Sequence, residues 1–236
     1  MRKFIPVISA FLIGLGIVLL GVFIKAAFDG LGDRDRVVSV RGLCEKEVKA
    51  DKVTWPLITK EMGNDLPQIY DNIQATNAKI LAFLHNNGIS DEEITINSPD
   101  VNDRVADRYS DDASITSRYS VTNVIVVTSS QVDQVRGLID KQSELLREGI
   151  AIIANNYQYP ISYEYTGLNS IKPAMIAEAT AKAREAATKF AADSESKLGK
   201  IKTASQGQFS ISDRDQYTPY IKNVRVVTSL EYYLED

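Results

Sequence analysis

The sequence is poor in reactive side chains: its 236 residues include one histidine and one cysteine. A single imidazole leaves no zinc site that needs two, and a single thiol leaves neither an intrachain disulfide framework nor a thiolate cluster. No Gly-x-Ser-x-Gly turn occurs, and any histidine-dependent triad would have to use His85. Gly199-Lys200 is followed by Ile201 and lacks the earlier glycine of a phosphate-cradling loop. Basic charge is also short, with 27 Lys+Arg against 31 Asp+Glu. Nothing in this inventory names a reaction. What is present is ordinary: 44% hydrophobic residues exclude disordered, collagenous and low-complexity classes, and the length allows a substantial core in one large domain or two small ones.

The long hydrophobic run lies at the start. Residues 4–24 carry no charge over 21 positions. As a helix they span about 31 Å, the thickness of a bilayer's hydrocarbon core. Arg2, Lys3 and the terminal amine precede the run and Lys25 follows it, so the front flank is expected to stay cytoplasmic with the rest of the chain outside. A cleavable signal has a shorter apolar core and an Ala-x-Ala-like exit, which Ile24-Lys25-Ala26 does not supply. Arg41-Gly42-Leu43 before Cys44 is not a lipoprotein box either. The reading is an uncleaved signal-anchor over 1–28 in the inner membrane, with a linker over 29–36 and the body in the periplasm. Cleavage is the rival, and would leave a periplasmic protein. Gly14, Gly16 and Gly21 do not form a G-x-x-x-G dimer face. Past residue 28 only Arg2, Lys3 and Lys25 are lost, which leaves 24 basic against 31 acidic residues and a net charge of −7. Such a body repels phosphate backbones and anionic headgroups, so nucleic acid is not an expected partner.

Beyond the linker the pattern alternates between strand and helix grammar. Val38, Val40, Cys44 and Val48 share one parity, with Gly42 as a candidate bulge. After the turn at 49–51, Val53, Trp55 and Leu57 suggest a second strand as hairpin partner of the first. Pro56 cannot donate to a ladder, so this strand is expected at an edge or with that nitrogen turned away from its neighbour. Leu66, Ile69, Tyr70, Ile73, Asn77, Ile80, Leu81 and Leu84 recur at helical spacing over 66–86, and Asn87-Gly88 ends the helix. A short strand at Ile94 and Ile96 precedes a polar stretch, 99–117, read as an exposed loop or loose hairpin. Residues 118–128 are apolar on both parities, as in a central strand.

A second helix is capped by Ser130, directs Val132, Val135, Leu138, Ile139, Leu145 and Leu146 inward, and stops at Gly149. Residues 157–166 alternate as a strand with Tyr157, Tyr159, Ile161, Tyr163 and Tyr165 on one face. The third helix has Ser170 as cap, Pro173 in its first turn and Gly199 as terminator, with nine alanines between Ala174 and Ala192 that permit close backbone approach. Strands over 201–210 and 223–234 flank a loop with Tyr217, Pro219 and Tyr220. The fold class is α+β, with sheets of antiparallel or mixed strands packed by three helices.

Four stretches together resemble the SIMPL-domain family of bacterial envelope proteins: Val38-Ser39-Val40-Arg41-Gly42 with its hairpin, Tyr119-Ser120-Val121-Thr122-Asn123, the helix 132–146, and the alanine-rich helix 177–190 followed by Leu198-Gly199-Lys200-Ile201. The match covers about 37–236 as one domain. The resemblance implies an exported, non-catalytic protein without cofactor, linked to envelope or oxidative stress and able to form ring- or channel-like homo-oligomers. It brings no catalytic residues. The Trp55-Pro56 pair, the insertion at 99–117 and the uncleaved anchor depart from the family pattern.

Few individual residues invite chemistry. Cys44 sits among apolar neighbours and reads as a buried thiol, the sharper alternative being a redox-sensitive one. His85 near a helix end suits the dipole there. Asp100, Asp103, Asp107, Asp111 and Asp112 could hold Ca²⁺, but Arg104 and Arg108 are interleaved and EF-hand spacing is absent. The tyrosine face of 157–165 suits core packing or, alternatively, sugar stacking. Trp55, Pro56, Tyr217 and Tyr220 are the candidate interface residues. Two functions follow as expectations: a membrane-tethered interaction protein that self-associates, or an envelope-stress module binding a small molecule or glycan.

Overall fold

The computed structural model describes residues 13–25, 36–106, 116–153 and 157–235. Helix α1 covers residues 13–25, and the apolar side chains of Ile13, Ile17 and Phe23 along it are exposed. Among the described residues no helix is long and apolar enough to cross a membrane. The expected span begins at residue 4, and residues 4–12 lie outside the described residues, as do residues 29–35 of the linker.

The described residues of the chain form two compact units, where one domain over 37–236 was expected. The first contains the described residues of Met1–Lys46, Ser170–Ser210 and Val224–Asp236; the second contains Glu47–Asn169 and Ile211–Asn223. The elements are β1 (Val37–Lys49), β2 (Lys52–Gly63), α2 (Leu66–Asn86), β3 (Ile94–Ile96), β4 (Asp100–Asp103), β5 (Tyr119–Ser129), α3 (Val132–Lys141), α4 (Ser143–Arg147), β6 (Ser162–Glu164), α5 (Leu168–Asp193), β7 (Lys197–Gln206), β8 (Ser210–Asp213) and β9 (Ile221–Glu235). One sheet has the order β1-β9-β7 with β8 also on β9; the other has the order β3-β5-β2-β6 with β4 on β5. The expected β1–β2 hairpin is therefore corrected. The two strands share a tight turn but belong to different sheets, because alternation marks a segment as a strand without naming its neighbour.

In the first unit α5 buries a single row at four-residue spacing, Met175, Ala179, Ala183, Ala187 and Ala191, which is inclined to the helix axis. The four-residue spacing repeats almost every helical turn, so these small side chains stack into one seam. Gly42 of β1 fits against that seam: a Cβ there would lie 1.9 Å from the Ala179 carbonyl oxygen and 2.6 Å from the Ala183 nitrogen. The glycine is required for this approach, and the backbone that the alanines admit belongs to the same chain. Val38, Leu230 and Tyr232 complete the core around Ala183 and Ala187.

The ends of α5 differ from the sequence reading. The helix begins at Leu168, so Ser170 is not its cap and Pro173 lies inside it, where the ring nitrogen cannot donate to the Asn169 carbonyl. The helix stops at Asp193, well before Gly199. Glu195 takes the left-handed conformation (φ 55°), its N–H donating to the Ala192 carbonyl while Ser196 N–H donates to Ala191. Gly199 sits instead in β7, where a Cβ would meet the Tyr233 carbonyl oxygen at 3.0 Å.

In the second unit β2 and β5 pair antiparallel from Val53↔Ser129 to Gly63↔Tyr119, and β3, β4 and β6 extend the sheet. The central position expected of β5 is found. The stretch read as a loose hairpin contributes β4, fastened by the Arg118 guanidinium on the Asp103 carboxylate (2.8 and 3.1 Å). Val53, Trp55, Leu57, Ile125 and Val127 form one core with Ile80, Phe83 and Leu84 of α2 and Val132, Val135 and Leu138 of α3. Within α2, Asp65 caps the start by accepting from Gln68 N–H, and Gly88 (φ 85°) closes the end. Leu66 and Tyr70, expected inward, are exposed, and Phe83 is buried in their place.

The second helix is broken at Gln142 into α3 and α4. Ser130 does not cap it, and Leu146 turns outward at 58% exposure, while Leu138 and Leu145 remain buried. Gly149 (φ 80°) closes α4 as expected.

Candidate functional site

The strand expected over 157–166 is paired only at Ser162–Glu164, and this shortening opens a cavity. Strand β6 meets β2 at Lys52, Val53 and Thr54 and goes no further. On the same side Ile58 accepts through its carbonyl oxygen from Ile153 N–H at 2.8 Å. Backbone groups alternate along a strand, so Pro56 directs its nitrogen to that side as well, away from β5, which is the second of the two arrangements expected for it. A proline there cannot recruit another strand. The chain over 157–161 stands off instead, and Trp55, Pro56, Ile139, Gln142, Ile152, Ile153, Tyr157, Tyr159, Pro160 and Ile161 line a cavity of about 720 Å³.

Its floor is buried, and the described residues of its lining are uncharged. Trp55 is 1% exposed, opposite Val127 in the ladder, and Pro56 is also buried. Both candidate interface residues are thus buried within this chain and lie beneath its surface. Ile139 and Ile152 pack on the same core. Tyr159 is half-buried with its hydroxyl 3.4 Å from the Gln158 amide, whereas Tyr157 is fully exposed. The tyrosine face is thus divided: Tyr163 packs on the core and Tyr157 does not.

Tyr217 and Tyr220, expected together as an exposed aromatic pair, have different surroundings. Tyr220 is packed: the Arg136 guanidinium lies 3.4 Å from its ring centroid, and the Tyr163 ring meets it edge-on at 6.2 Å. Burial pushes the Tyr163 phenol up, against the opposing pull of Arg136. Tyr220 is therefore half-buried and held by contacts within its own unit.

Tyr217 is 82% exposed. It is presented on a turn fixed by Asp215, whose carboxylate accepts from the N–H groups of Tyr217 and Thr218 at 2.8 Å each, from the Thr218 hydroxyl and from Arg214 Nε at 3.1 Å. The Thr218 hydroxyl, then Arg214, hold the Asp215 carboxyl down at about 2. The sequence reading missed this device, although an Asp two and three residues before Tyr217 and Thr218 is the local signal of a side chain bonding forward to its own backbone.

Other candidate residues lead elsewhere. Cys44 is buried, and burial followed by a hydrogen bond to the Glu178 carboxylate pushes its thiol up. A raised thiol holds less thiolate, which favours the buried-thiol reading over the redox one. His85 Nε2 lies 2.8 Å from Asp91 Oδ1 at the surface. Among the described residues no group of three or more His, Cys, Asp or Glu is placed to hold a metal ion. Asp103 is engaged by Arg118, and Asp107, Asp111 and Asp112 lie outside the described residues.

A buried polar cluster was also missed. Asn123 donates to Asn77 Oδ1 at 2.7 Å and to Thr59 Oγ1 at 3.3 Å.

The chain matches a family model over most of its length. The model described as SIMPL, a protein of unknown function (DUF541), matches residues 38–228. The chain belongs to the SIMPL family. No curated protein matches it.

Proposed function

We propose that this SIMPL-family chain is a membrane-tethered, extracytoplasmic interaction protein without an active centre, which works by self-association in the cell envelope. The uncharged run at 4–24 supplies the tether to the inner membrane, and the acidic body after it avoids anionic surfaces. The observation that carries the reading is Tyr217. A large, amphipathic side chain held exposed on a fixed turn loses little conformational freedom on docking and has the character of an interface anchor. The particle mass of the full chain in detergent tests the proposal. The expected result is a multiple of one chain that falls when Tyr217 is replaced by alanine; a single-chain mass for the unmodified protein overturns it.

A second reading, an envelope-stress module that binds a small molecule or glycan, is favoured by one observation, the cavity beside Trp55.

A further inference from the structure

We propose that the cavity beside Trp55 is a binding site for an uncharged, largely apolar molecule of the fatty-alcohol or neutral acyl class. This deepens the binding-module reading and rests on it.

Three features converge. The volume, about 720 Å³, falls within the range of pockets that enclose small ligands. Among the described residues the lining is isoleucine, proline and aromatic carbon, with Gln142 contributing the one amide and Tyr157 and Tyr159 their phenols. Among the described residues no charged side chain lines it. An ion entering would lose its hydration without a partner, and a sugar would surrender more hydrogen bonds than one amide and two phenols return. An alkyl chain with a single hydroxyl or ester head meets apolar wall along its length and one polar group at its end.

The third feature is the way the cavity is kept open. Strand β6 stops at Thr54, and Pro56 offers no N–H to continue the sheet over the gap. The floor is preformed, because Trp55 is clamped in the interior of the β2–β5 ladder. A ligand therefore does not have to order the wall it binds, which removes a cost of association.

The wall carries its own reporter. Trp55 is the single tryptophan of the chain, so its emission comes from the cavity floor alone. The test uses the full chain kept soluble in an amphiphilic polymer and titrated with 11-bromoundecanol, whose bromine quenches an indole it touches. Saturable quenching, reversed by undecanol and weakened at least tenfold in Ile161→Arg, is the expected result. Ile161 lies at the lining and is 40% exposed, so the variant places a charge in the apolar wall without cutting into the core. An unchanged melting temperature in that variant shows that the fold persists. Absent or non-saturable quenching overturns the proposal, and so does quenching that Ile161→Arg leaves unchanged. If equilibrium dialysis finds the bromoalcohol bound while Trp55 stays bright, or if a neutral oligosaccharide shifts the emission saturably and the alcohol does not, the acyl assignment falls and the binding-module reading stands. If neither probe binds, both fall.

Discussion

Glu195 offers a measurement of backbone strain with two internal controls. Helices α2, α4 and α5 all end the same way: a residue with positive φ donates back to the last turn, and the next N–H reaches one residue further. Gly88 and Gly149 fill that position with φ of 85° and 80°, whereas α5 uses Glu195 at 55°. An L side chain in the left-handed conformation costs about 1–2 kcal/mol. Substituting glycine removes that strain but adds freedom to the unfolded chain worth about 0.4–1 kcal/mol. Glu195→Gly should therefore stabilise by about 0.5–1 kcal/mol, which at roughly 2–4 °C per kcal/mol for a chain of this length raises the melting temperature by about 1–4 °C.

Gly149→Ala is the opposite control. Its Cβ would meet nothing within 4 Å, so the substitution changes only the conformational preference and should destabilise by about 1 kcal/mol. Glu195 belongs to the first unit and Gly149 to the second, so a chain that melts in two steps shows the two shifts in different transitions. Calorimetry reads both. If Glu195→Gly lowers the melting temperature while Gly149→Ala behaves as described, strain at Glu195 is not the quantity that governs this helix end.

Gly42→Ala would drive a methyl into the Ala179 carbonyl oxygen, which is backbone and cannot rotate away; we expect about 3 kcal/mol of destabilisation by chemical denaturation, the upper end for overpacking. Asn77→Ala strips Asn123 of its 2.7 Å partner in a buried site and should cost about 1–3 kcal/mol, while adding Asn123→Val recovers part of that loss, as a double-mutant cycle would record. The Asp215 carboxyl should titrate near 2, and Thr218→Val should move its midpoint upward when followed by carboxyl NMR. Because the folded value is depressed, the turn's electrostatic support is complete above the ordinary carboxylate value of 3.8 and is lost as pH falls through about 2. A protection of the Tyr217 amide that is insensitive to pH between 4 and 2 would refute that assignment.

Much of the architecture is written locally. The i, i+3, i+4 pattern of α2, its Gly88 end, the apolar run of β5 and the closure at Gly149 are all decided within a few residues. These were legible because hydrogen bonds within a helix, and the φ that only glycine adopts without strain, depend on near neighbours. The end of α5 was misplaced for the same reason. Gly199 looked like the stop, but a glutamate accepted the left-handed conformation when the carbonyls of Ala191 and Ala192 were there to receive its turn.

Amino-acid order alone determined that this chain would make an α+β fold with an uncharged N-terminal run, an acidic body and an alanine seam permitting close approach. Tertiary structure decided what approaches that seam, Gly42 of the same chain, and which strands pair. β1 joins β9 and β2 joins β5, because pairing is set by long-range burial rather than by the turn between neighbours. It also decided the fate of the aromatic candidates. Trp55 went to a cavity floor, Tyr220 under an arginine and Tyr217 to the surface, since those differences arise from residues far apart in the chain whose side chains meet only once the sheets are assembled.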